Sequence, residues 1–181
     1  MKSESKINCN VSAIEKKSVD KSNLDKNPLE GIEFKELLDT NLSTISELHL
    51  LFSHWRKSSV QKKINATLKG LDKRFVAIKD GRIVGHARVV FGKGLHKHRV
   101  EISSLVVETS VRRHHIGIGL MEFILKNLPS SIKLVLLAVD SKNKPAIHLY
   151  KKIGFTKYGL LKKASFVNGK YVDNCLMKKD L

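Results

Sequence analysis

Apolar residues change their spacing repeatedly along this chain, and each change predicts a different element. Residues 31–38 (GIEFKELL) predict a first short strand. Ile45, Leu48, Leu51 and Phe52 then recur at helical spacing, with Asn41 or Ser43 placed to cap that helix. Val60, Ile64 and Leu68 share one face of a second helix over about 58–70. The period then shortens. FVAIKDGRIVGHARVVF holds Asp80-Gly81 between two β-rich runs, a strong hairpin signal. A basic loop at 92–98 leads to a strand over 99–108.

The second half alternates strand and helix. Gly117 to about Asn127 is a helix, with Leu120, Ile124 and Leu125 among its apolar positions. IKLVLLAV (132–139) is a continuous apolar run, the pattern of a strand buried on both faces. Lys144–Ile153 forms a helix capped by Asn143, with Pro145 tolerated in its first turn and Gly154 ending it. Two strands joined at Asn168-Gly169 close the chain. The whole predicts an α/β fold (a mixed α+β sheet) of about seven mostly antiparallel strands and four helices.

Composition narrows the class. The chain has 181 residues, suited to one domain, here 31–181, behind a polar, disordered extension at 1–30. No apolar run approaches a membrane span, and the N-terminal residues lack the apolar core of a secretory signal, so no membrane partner is expected. Cys9 and Cys175 make no disulfide framework, which fits a reducing cytoplasm. Net charge is +17, and residues 31–181 carry 28 basic against 12 acidic side chains, so the folded part is the basic part. Such a field draws in anions, and a nucleic-acid partner stays open.

Candidate chemistry concentrates in 105–120, LVVETSVRRHHIGIGL. A strand runs through a basic turn into a glycine-containing helix start. Amides at a helix start lack internal partners and carry partial positive charge, which favours a phosphate. Arg112 and Arg113 add full charges. A second pattern is Asn143-Lys144-Pro145-Ala146-Ile147-His148-Leu149-Tyr150, completed by Gly154-Phe155.

Together these motifs resemble the GNAT superfamily of N-acetyltransferases over roughly Ile32 to Leu181. Arg112-Arg113-His114-His115-Ile116-Gly117 is similar to the family's acyl-CoA signature Arg/Gln-x-x-Gly-x-Gly/Ala, with His115 standing at the first glycine. Histidine tolerates unusual backbone angles better than most residues but adds bulk. The asparagine segment matches the family's N-x-x-A-x-x-L-Y-x-x-x-G-F at every fixed position.

The resemblance implies a splayed central strand pair, helices on both faces and acetyl-CoA as co-substrate. Its pantetheine arm would pair with Leu105, Val106 and Val107, and the Val107 N–H would donate to the thioester oxygen. The diphosphate would lie on Arg112, Arg113, His114, His115, Ile116, Gly117 and Ile118, with Asn143 on the pantetheine amides. Tyr150 is the candidate general acid toward the departing thiolate, and Glu101 the candidate base. Trp55, Tyr171 and Asp173 are candidate acceptor contacts. His96, His98, His114 and His115 lack the spacing of a metal site, so no metal is expected.

With no nucleophile elbow or phosphate-loop motif in the chain, direct transfer in a ternary complex is the expected mechanism. The expected acceptor is the primary amine of a small molecule. Protein-lysine or RNA acceptors, or a non-catalytic module binding CoA or nucleic acid, remain open, as does a monomer or homodimer.

Overall fold

The computed structural model describes residues 29–38, 42–51, 72–167 and 169–181. Seven strands form one sheet: β1 (Ile32–Glu36), β2 (Asp72–Lys79), β3 (Arg82–Phe91), β4 (Arg99–Val107), β5 (Leu134–Asp140), β6 (Thr156–Val167) and β7 (Lys170–Asp180), in the order β1-β2-β3-β4-β5-β7-β6. Three α-helices are described: α1 (Leu42–Leu51), α2 (Ile116–Lys126) and α3 (Lys144–Lys152). The helix expected over 58–70, Asn41, Phe52, Trp55, Asn168 and residues 1–28 of the expected extension lie outside the described residues.

Alternation along β2 sends side chains to opposite faces. Val76 packs with Leu48 of α1, while Phe75 joins Val89, Val100 and Ile102 under α2. Helix α2 is anchored by Ile116, Leu120, Met121 and Ile124, each 2% exposed or less. Burying each of these contributes roughly 1.5–3 kcal/mol. Asn127 ends the helix by turning its Nδ2 onto Phe123 O at 2.8 Å. Asn143 caps α3 as its sequence position indicates, accepting from Ala146 N–H at 3.2 Å. Asp80 and Gly81 take positive φ (49° and 74°), the backbone of a tight hairpin.

Strand β5 differs from its sequence reading. Val135, Leu137 and Val139 are buried while Ala138 is exposed, so one face is covered rather than both. The helices explain this: α2 covers the face with Val135, Leu137 and Val139, whereas on the other face α1 packs on Val76 and Ile83 of β2 and β3. In the plane of the sheet β5 runs parallel to β4 over only three pairs, Arg99–Leu134 to Glu101–Leu136, and antiparallel to β7 along its whole length.

Candidate active site

Beyond Glu101 and Leu136 the fourth and fifth strands part. A bulge in β4 accompanies the separation. Arg88 pairs with Ser103 and His86 with Val106, so one residue of β3 faces two of β4. Ser104 holds φ 56°, a left-handed conformation that costs a serine about 1–2 kcal/mol. Past the bulge, Glu108 N–H donates to Val84 O across β3 at 2.8 Å. Successive amides of a strand point to opposite edges, so the Val107 N–H faces the gap beside β5. Leu105 and Val107 pack toward α2, and Val106 alternates to the α1 face.

A turn at Thr109–Val111 carries the chain from β4 to α2. Arg112 folds back, its Nε donating to Val107 O at 2.9 Å. His114 Nδ1 lies 3.0 Å from Arg112 O and 3.3 Å from Val111 O. Both partners are carbonyls, so Nδ1 carries the proton. With the loop braced this way, Arg113 (φ 69°) and His115 (φ 59°, ψ 7°) take left-handed backbone. His115 thus holds, with this bracing, a conformation that glycine adopts at no steric cost. The first amide to close a helical bond is Gly119, onto His115 O at 2.9 Å. The amides of residues 113–118 have no partner among the described residues. Consecutive free amides around left-handed residues form a concave seat for an anion.

Gly117 has a packing role as well. A Cβ there would stand 3.0 Å from Leu149 Cδ1 and 3.6 Å from Val107 Cγ2. Both motifs thus meet at this glycine. The next residue of α3, Tyr150, is 8% exposed, its ring 5.9 Å from that of Phe155. Burial pushes its phenol up to about 12. The Tyr150 hydroxyl makes no hydrogen bond among the described residues and, unlike the ring, reaches solvent.

Glu101 is exposed, between Val100 and Ile102, both buried under α2. Alternation places it on the opposite, α1 side of the sheet. The α1 side also holds a cavity of about 660 Å³ against Val106 and Val107, walled by Glu47, Leu51, Arg82 and Arg112. Sequence reasoning missed Glu47 and Arg82. Glu47 accepts the Ile83 N–H at 2.9 Å, and no motif marks it.

The acceptor candidates are less gathered. Tyr171 is 66% exposed and packs on Phe166 at 5.1 Å. Asp173 accepts the Lys163 N–H at 2.8 Å, satisfying a left-handed residue in β6. Among the described residues no three His, Cys, Asp or Glu side chains converge as a metal site requires. No helix there is long and apolar enough to cross a membrane.

An open edge of β4 thus runs into a turn of unpartnered amides at the start of α2. The family model for the Acetyltransferase (GNAT) family matches residues 40–155, and the chain belongs to that family. It is an acetyl-CoA-dependent acyltransferase with an amine acceptor.

Its similarity to individual proteins is moderate. It is 29% identical over 109 residues to the L-amino acid N-acetyltransferase AaaT of Escherichia coli K12, covering 59% of this chain and 67% of that one. Among solved structures, the fold matches the ribosomal-protein-alanine N-acetyltransferase of Brucella melitensis (TM-score 0.70, 19% identity, 82% of this chain and 99% of the other). It also matches yncA of Salmonella typhimurium, solved with its cofactor acetyl-CoA (TM-score 0.69, 14% identity, 83% and 94%).

Proposed function

We propose that this enzyme moves the acetyl group directly from acetyl-CoA to the primary amine of a small molecule, an amino acid or a compound like one. The observation that carries this reading is the row of unpartnered amides at 113–118, set at the end of the strand whose free edge begins beyond Glu101. The diphosphate sits on those amides. The pantetheine arm lies along Leu105–Val107 in place of the missing strand partner, with Asn143 at its flank. Held there, the thioester oxygen accepts from the Val107 N–H. A preorganised donor of this kind contributes roughly 3–4 kcal/mol as charge develops on that oxygen.

The two candidate proton-transfer groups lie on opposite faces of the sheet, which suits the chemistry. The amine approaches from the α1 side, where Glu101 takes its proton directly or through a water. Its nitrogen attacks the carbonyl carbon, the C–S bond breaks, and the thiolate leaves toward α3. There Tyr150 supplies a proton. Its phenol is protonated at neutral pH and its hydroxyl unengaged; burial, which raises the pKa, makes it a weaker donor, so the charge of the thiolate must draw the proton across.

The amino-acid preference rests on the similarity to AaaT and on the strongly basic domain, which disfavours a polycationic acceptor. Free-thiol release from acetyl-CoA, measured against L-amino acids, amino sugars, lysine peptides and RNA, tests it. Saturable release with an amino acid is expected. Release with peptide or RNA alone overturns the small-molecule reading.

A further inference from the structure

Among the described residues, the buried Asp72, Arg74 and His86 and the half-buried Arg88 share the α1 face of the sheet and have no place in the chemistry above. Asp72 and Arg74 are each 3% exposed and His86 is fully buried. Arg88 donates through Nε to Asp72 Oδ2, and Arg74 Nε stands 3.8 Å from Asp72 Oδ1. Asp72 thus faces two guanidinium groups. Arg74 Nη1 lies 3.0 Å from His86 Nε2, and His86 Nδ1 lies 3.2 Å from Ser104 O.

The proton positions follow from the partners. A guanidinium only donates, so His86 Nε2 accepts. The proton is then on Nδ1, which donates to the Ser104 carbonyl. A second proton on the ring would set two donors against each other, so the imidazole is held neutral.

Ser104 is the left-handed residue of the β4 bulge. Upstream lies Glu101, the last residue paired with β5; downstream lie Leu105–Val107, facing the gap. We infer that His86 is a positioning residue for the acyl donor: through Ser104 O it holds the bulge in the shape that opens β4 to acetyl-CoA, and Arg74 and Asp72 hold His86. The inference rests on the reading of that gap as the donor site.

Two half-mimics separate positioning from mere stability. Asparagine at 86 sets an amide N–H near the place of Nδ1 and keeps the Ser104 bond but loses Arg74. Glutamine sets a carbonyl near the place of Nε2 and keeps Arg74 but loses Ser104. Calorimetric titration with acetyl-CoA, beside thermal melts, is expected to show His86→Gln binding about tenfold more weakly. His86→Asn is expected to stay within about twofold of wild type although it melts lower. Adding Ser104→Gly to His86→Gln should restore affinity, because glycine takes positive φ without help.

Equal affinities in both variants, or losses that simply follow the melting temperatures, overturn the role. Should neither variant fold, Ser104→Val serves instead. It leaves the buried network in place but resists left-handed backbone, so wild-type affinity there refutes the inference. Wild-type protein that takes up no acetyl-CoA would instead sink the donor-site reading itself.

Discussion

Glu101 and Leu136 form the last pair between β4 and β5, and the carboxylate of Glu101 stands where the gap begins. The position gives a base access to an amine entering from the α1 side. Glu101→Gln is expected to lower kcat/KM about 100-fold near neutral pH. The deficit should shrink as pH rises toward the pKa of the acceptor amine, because more of it then arrives unprotonated. Acetyl-CoA affinity should be unchanged. A uniform deficit at all pH values would remove the base role.

Tyr150 carries a hydroxyl that nothing described engages, on a ring that is otherwise buried. Tyr150→Phe keeps the ring and deletes the acid. The expected result is a kcat reduced about 100-fold, with acetyl-CoA affinity and melting temperature close to wild type. Normal turnover would make Tyr150 a packing residue only.

At Gly117 the two sequence motifs touch, since a Cβ would meet Leu149 Cδ1 at 3.0 Å. The tip of a leucine can yield to alanine. Gly117→Val pushes α2 away from α3, destabilising by about 1–3 kcal/mol and displacing the free amides. Titration should show weakened acetyl-CoA binding for valine and a smaller change for alanine. Unaltered binding in Gly117→Val would separate this helix start from the coenzyme.

His86 also sets a pH dependence. Burial first, and the Arg74 guanidinium next, push its imidazole down from 6.5 to about 3. Between those values the unfolded chain binds a proton that the folded chain refuses, so stability rises with pH through that window. Lowering pH from 7 to 5 should cost about 2 kcal/mol through this group alone. Denaturant melts at both pH values check it. The drop should be smaller in His86→Asn, and an identical drop would show that His86 is not its source.

Much of this architecture is legible in the sequence because local rules govern it. Asp80-Gly81 makes its turn, Asn143 caps its helix, and the apolar spacing of α2 matches its buried face. What escapes is non-local. Nothing in DKRFVAIK or VGHARVVF says that Asp72, Arg74 and His86 will meet across two strands, since each reads as an ordinary polar position. Ser104 resembles any strand serine until the pairing registers on either side are compared. His115 looks like a lost glycine, yet it holds a left-handed backbone of the kind glycine takes readily. The continuous apolar run of β5 suggests two covered faces, but α1 packs on β2 and β3 and only the α2 face of β5 is covered. Trp55 lies outside the described residues, so its candidate acceptor role stands as the sequence left it.

The seat at 113–118 is tested most directly by amide correlation spectra of labelled protein during titration with coenzyme A. The expected result is large, saturating shifts of the amides of residues 113–118 and of Val107, with a common dissociation constant. Binding that leaves those resonances in place, or no binding by folded protein, would contradict it.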